Sequence, residues 1–149
     1  MPGGALTLSE LYLGSCASEE ETLRCAECGR DTKHECQSRL MTVPNVLVVQ
    51  MKRCPGVQHP VAVDEQLELP GMPSMYLMGV VFHSGETVEA GHYTCLCRGP
   101  GGRFWYFNDH FPVHRVDSDV AHLMPRDVSM VLYGRRNGSA EWQEGSAPA

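Results

Sequence analysis

The chain lacks a long apolar run, a basic leader, an excess of positive charge and any internal repeat. Its longest stretch without a polar interruption, Met75 to Phe82, falls far short of the roughly 18 residues that a membrane span requires. Met1-Pro2-Gly3-Gly4-Ala5 has neither the basic region nor the apolar core of a secretory signal. The seven cysteines are odd in number. Together these features predict free thiols in a reducing compartment, cytoplasmic or nuclear, rather than a disulfide framework. A net charge of −6 argues against nucleic acid and anionic membrane as partners; it suits a partner with a basic contact surface, although a solvated acidic surface is the commoner reason for such a charge.

The 149 residues are enough for one domain with a real core. Fifteen Gly and ten Pro imply many turns, so the expected class is α+β, mainly antiparallel β with few short helices. Thr7-Leu8-Ser9-Glu10 fits a capping box and predicts a helix over about Leu8 to Cys16. Glu19 to Leu23 reads as an acidic surface connection, and Cys25 to Cys36 as a turn with polar flanks. Val46 to Met51, Met75 to His83, Gly91 to Arg98, Phe104 to Phe107 and Val128 to Tyr133 read as strands, with a short extended piece at Val113 to Val116. The loop-like stretch from Pro55 to Pro73 carries Val61, Val63, Leu67 and Leu69 as apolar anchors. Asp117 to Met124 can hold a helical turn or two, stopped by Pro125. Residues 1–5 are expected to be flexible, residues 6–136 to form the domain, and the Gly, Ser, Ala and Glu tail 137–149 to be disordered.

Chemistry concentrates in Gly91-His92-Tyr93-Thr94 and in Asn108-Asp109, which follows Trp105-Tyr106-Phe107. A catalytic imidazole needs an oxygen on its far nitrogen to fix its tautomer and aim. The turn Gly99-Pro100-Gly101-Gly102 would fold the two segments into antiparallel neighbours and bring Asn108 to His92. An asparagine oxygen accepts from an imidazole N–H without burying a charge. Strand alternation puts His92, Thr94 and Leu96 on one face and Tyr93, Cys95 and Cys97 on the other, so neither cysteine can partner His92. A histidine that merely edges a sheet is the alternative reading.

These segments resemble the histidine box of the ubiquitin-specific proteases. Pro44 with Leu47-Val48-Val49-Gln50-Met51-Lys52-Arg53 is similar to an upstream strand of that family, with Cys54 where a Phe is usual. Tyr76 to Gly85 resembles the strand before the histidine box, and Val131-Leu132-Tyr133 the closing strand. Cys25-Ala26-Glu27-Cys28 resembles the second cysteine pair of the zinc-binding fingers. The resemblance implies a papain-like cysteine peptidase half-domain, comprising the palm and part of the fingers. It implies His92 as general base, Asn108 as its orienter and Asp109 as a group that either adds polarity near the imidazole or holds the oxyanion side. The implied reaction is thiol-dependent hydrolysis of the bond after the C-terminal glycine of ubiquitin. No cofactor is implied for catalysis. The resemblance implies that Cys25 and Cys28 are two orphan ligands left from a lost four-cysteine zinc site; the alternative, read from the residues, is a local structural zinc with Cys25, Cys28, His34 and Cys36 as its four donors.

The family's cysteine box, which carries the nucleophile, has no counterpart here. Cys16, Cys36, Cys54, Cys95 and Cys97 all lack its context and read as inert thiols. Three functions follow as alternatives. The chain is half of a deubiquitinase whose thiol comes from another, N-terminal segment; or a catalytically inactive adaptor that binds ubiquitin; or a small interaction protein stabilised by zinc. The absence of the nucleophile-bearing part also predicts an exposed apolar face, and with it poor solubility or self-association.

Overall fold

The computed structural model describes residues 4–52, 59–87, 90–116 and 125–135. The helical turn expected within Asp117 to Met124, the tail 137–149 and Cys54 lie outside the described residues.

The chain runs β1 (Leu6–Thr7), α1 (Leu8–Ser15), β2 (Glu19–Arg24), β3 (Asp31–Cys36), β4 (Val46–Gln50), β5 (Val61–Ala62), β6 (Gln66–Leu67), β7 (Met75–Thr87), β8 (Ala90–Arg98), a 3-10 turn over Pro100–Gly102, β9 (Phe104–Phe107), β10 (His114–Val116) and β11 (Val128–Arg135). A seven-stranded sheet in the order β10-β9-β8-β7-β11-β4, with β6 added beside β7, forms the body. Its pairings are antiparallel. The mainly antiparallel β architecture is therefore as the sequence predicts.

One face of this sheet is the core. Leu77, Leu96, Val131 and Tyr133 are fully buried there, with Val80, Phe82, Val128 and Phe104 close behind. The four anchors of the loop-like stretch, Val61, Val63, Leu67 and Leu69, join the same cluster. Burying each such side chain contributes about 1.5–3 kcal/mol. Two β-bulges set which residues reach this face. Leu132 pairs with Gly79 while Tyr133 pairs with Leu77, so Met78 is an extra residue on β7. Odd positions (Met75, Leu77) point inward before it and even ones (Val80, Phe82) after it. Ser129 plays the same part on β11, between Val128 paired with Phe82 and Met130 paired with Val81.

Helix α1 begins with the expected capping box. Thr7 Oγ1 accepts from Glu10 N at 3.1 Å, and Glu10 Oε2 accepts from Thr7 N at 2.8 Å. The reciprocal bonds hold the Glu10 carboxyl below its ordinary range. The helix ends at Ser15, with Cys16 as its C-cap.

The segment from Glu19 to Cys36 corrects the sequence reading. It is a hairpin, β2 against β3, paired from Glu19 with Cys36 to Arg24 with Asp31. Both strands lack a buried residue, so no apolar alternation betrays them. Gly29, at φ 65°, closes the connection, and Lys33 Nζ reaches Glu20 Oε1 at 2.6 Å across the strands.

Candidate active site

Register explains how His92 and Asn108 meet. Leu96 pairs with Tyr106 and Cys95 with Phe107, so Asn108, just past β9, continues the face of Tyr106 and Leu96. His92, two positions before Thr94, lies on that face of β8. The turn between the strands needs Gly101 and Gly102, whose φ angles of 68° and 71° exclude most side chains. The site thus occupies the outer end of the core face, where the sheet opens to solvent.

Asn108 Oδ1 lies 2.6 Å from His92 Nε2. An amide oxygen can only accept, so Nε2 carries the proton and donates. In the neutral ring Nδ1 then holds a lone pair, as a general base requires. Asp109 Oδ2 stands 3.6 Å from Nδ1, where it would face a proton gained there. Asp109 has a φ of 44°, and the turn behind it is closed by Phe111 N donating to Asn108 O at 2.9 Å. The His92 and Asp109 side chains are 48% and 62% exposed, so a second reactant can reach them. All three predicted site residues come together.

Among the described residues no thiol joins them. Cys95 and Cys97 lie on the opposite sheet face, as alternation predicts, paired with Phe107 and Trp105. Burial and the neighbouring Cys97 push the Cys95 thiol upward, which keeps it protonated. Cys16 caps α1, and Cys36 ends β3. Among the described residues the ring partners of His92 are Asn108 and Asp109.

Of the four candidate zinc donors, Cys25 and Cys28 lie together. They share the tip of the hairpin, where backbone groups of Cys28 and Glu27, then the Cys28 thiol, hydrogen-bond to Cys25 and draw its thiol below the ordinary range. Cys36 sits at the far end, paired with Glu19, and His34 Nε2 is 2.8 Å from Thr32 Oγ1 on its own strand. No three metal-capable side chains gather among the described residues. The local set Cys25, Cys28, His34 and Cys36 is therefore not assembled, because six pairs of hairpin register separate its ends. Two donors alone do not fit structural zinc.

Arg98 and Trp105 serve the sheet. Arg98 donates to Leu77 O at 2.7 Å and to Gly102 O at 2.9 Å, and stacks 4.5 Å over the Phe104 ring. One contact beside the site has no signal in the sequence. Ser84, the register partner of His92, donates its hydroxyl to Asp127 Oδ2 at 2.9 Å.

A family model described as "Ubiquitin carboxyl-terminal hydrolase" matches residues 15–133. Ubiquitin carboxyl-terminal hydrolase 25 of Arabidopsis thaliana is 26% identical over 136 residues, covering 79% of this chain and 21% of that protein. Human ubiquitin carboxyl-terminal hydrolase 19 is 29% identical over 152 residues, covering 82% and 11%. The chain thus spans about a fifth or less of the length of these two relatives. Among solved structures, a chain of a SAGA Ubp8/Sgf11/Sus1/Sgf73 DUB module bound to monoubiquitin superposes with a TM-score of 0.63 at 21% identity, over 89% of this chain and 33% of that one. A chain of the module bound to ubiquitin aldehyde gives 0.61 at 22% identity, over 89% and 34%. These likenesses show the papain-like peptidase fold. The histidine box, the fold around it and the match over most of the sequence agree: the chain belongs to the ubiquitin carboxyl-terminal hydrolase family, and its likeness is to the C-terminal part of that family's ubiquitin-specific proteases.

Proposed function

We propose that the chain supplies the base half of a cysteine-type deubiquitinase, His92 with its orienter Asn108, to a thiol carried on another segment. The 2.6 Å contact between His92 Nε2 and Asn108 Oδ1 carries this reading, because it leaves Nδ1 free to take a thiol proton. The thiolate would attack the carbonyl carbon of ubiquitin's own C-terminal glycine, breaking its bond to the leaving amine. His92 would return the proton to the leaving amine, and water would then cleave the thioester. A second observation supports a missing companion. A groove of about 610 Å3 opens between α1 and β4, lined by Leu8, Leu11, Tyr12, Leu47, Val49 and Met51 among others. So much open apolar surface favours a covering segment.

The second reading, an inactive ubiquitin-binding adaptor, draws on the absence of any cysteine among the ring partners of His92 in the described residues. One experiment separates the two. The purified chain is mixed with the complementary N-terminal part of a relative's catalytic domain, and hydrolysis of a fluorogenic ubiquitin substrate is followed. Turnover that needs both parts and disappears in His92→Ala is the expected result. Ubiquitin binding without turnover in any mixture favours the adaptor. Ubiquitin carrying a C-terminal thiol-reactive warhead that attaches to a cysteine of this chain would overturn both.

A further inference from the structure

The residue before the base is Gly91, and its bare Cα is occupied from across the sheet. A Cβ built there would be driven into Nε2 of His83, and would lie 3.0 Å from His83 Cδ2 and 2.8 Å from Ser84 O. His83 pairs with Tyr93, the residue after the base, and its ring centroid lies 4.4 Å from the Tyr93 ring. On its own strand the ring is bordered by Gly85, where a Cβ would come within 3.2 Å of His83 Cε1 and 2.8 Å of Gly91 Cα. Two glycines therefore clear a shallow seat, just where the β7–β8 register shifts between Ser84 and Thr87. The imidazole of His83 occupies that seat, on the face opposite His92.

This ring is not held by hydrogen bonding at its tip. His83 Nε2 is buried without a hydrogen-bond partner among the described residues. An unpaired buried nitrogen is costly, so its retention calls for a compensating role. The backbone beneath it is held firmly. His83 N donates to Asp127 O at 2.7 Å, and Ser84 Oγ to Asp127 Oδ2 at 2.9 Å. A tethered ring thus bears on the peptide immediately before His92, and Tyr93 clasps it from the other side.

We propose that His83 is a positioning residue: seated on Gly91 and against Tyr93, its ring sets the height of the strand from which His92 reaches Asn108. The role is one of shape. It requires glycine at position 91, a flat ring at position 83 and no particular nitrogen. The inference rests on the reading of His92 as a base oriented by Asn108. Its test nevertheless uses neither ubiquitin nor turnover, so failure of the proposed reaction and failure of this interlock give separate results.

The test is long-range proton–nitrogen NMR of the 149-residue chain, which reads the tautomer of His92. The bonded ring is expected to favour the form protonated at Nε2. His83→Ala and Gly91→Ala should each lower that preference by about tenfold, the size of a typical coupling between touching residues. His83→Phe should retain it, since phenylalanine fills the same plane. In the double variant with alanine at both positions the new methyl still meets Ser84 O but no ring, so the combined loss should fall short of the sum of the two. The idea is overturned if His83→Phe behaves as His83→Ala, if Gly91→Ala keeps the wild-type tautomer, or if the two alanine effects simply sum. Should Gly91→Ala fail to fold, seen as a collapsed amide spectrum, the His83→Phe and His83→Ala pair still decides.

Discussion

Asp109 is the one non-glycine residue with a positive φ among those described. A left-handed backbone costs an L-residue up to about 1–2 kcal/mol, less for Asp, whose side chain bonds locally. Strain beside a reactive group is kept when it aims something, here a carboxylate 3.6 Å from His92 Nδ1. Asp109→Gly should therefore raise the melting temperature while lowering turnover of the complemented enzyme; a fall in both would deny the trade. For the base itself, His92→Ala should cost about 10²–10⁴-fold in complemented turnover, the usual worth of positioned proton transfer. Asn108→Ala should lose less, and Asn108→Asp, which keeps an accepting oxygen, less still. A His92→Ala protein as active as wild type would remove His92 from the mechanism. The meeting of these three side chains was legible in the sequence because the two segments that carry them are short and joined by one tight turn. His83 was not, since its meaning depends on which residue lies diagonally across a strand pair.

At the scale of elements, the strands that could be read were those with one buried face. Gly91 to Arg98 announces itself by alternation, and the structure keeps that alternation, with Leu96 fully buried and Tyr93 half exposed. The β2–β3 hairpin could not be read, because neither strand has a buried residue and its pairs include Glu20 opposite Glu35. Backbone pairing holds it, and its tip offers two thiols, one of which differs from Cys95 in the sheet. Hydrogen bonds from Cys28 and Glu27 lower the Cys25 thiol, whereas burial and Cys97 raise that of Cys95. At neutral pH iodoacetamide should label Cys25 well before Cys95, as peptide mapping would show; equal rates would count against the hairpin geometry. Helix α1 depends on its cap. Thr7→Ala should cost about 1 kcal/mol in denaturant titrations. The Glu10 carboxyl is lowered on folding, so its contribution is present above the ordinary carboxylate range and fades as pH falls through the folded value. Thr7→Ala keeps the backbone N–H that lowers Glu10 most and removes only the hydroxyl, so it should reduce that acid limb without abolishing it.

For the whole molecule, the core and the open groove make opposite demands. Tyr133, fully buried, donates its hydroxyl to Asp64 O at 2.8 Å. Burial, then the Asp64 charge, drives its phenol far above the ordinary value near 10. Its folded value is raised, so the stability it gives is complete below about pH 10 and declines as pH rises past that point, where only the unfolded chain ionises. Tyr133→Phe should cost about 1 kcal/mol at neutral pH and make the alkaline limb shallower. Across the sheet, Val46 and Val48 on edge strand β4 are 45% and 52% exposed, beside the groove. The isolated chain should self-associate in size exclusion at micromolar concentration, and Val48→Lys should shift it toward monomer. A sharp monomer peak for wild type would show that the apolar face needs no cover.

The extra residue at Met78 ties these scales together. Beyond that bulge the even-numbered side chains of β7 turn inward, and β8 follows in phase, so Leu96 fills the core on the same side from which His92 emerges. Folding and chemistry are in this way geared to one another through a single backbone irregularity. Losing that one residue would not merely loosen a strand. It would throw the two functions out of mesh, presenting to solvent either the residues that hold the molecule together or the wrong side of its reactive ribbon. Length at this point in the chain is accordingly under tighter control than side-chain identity.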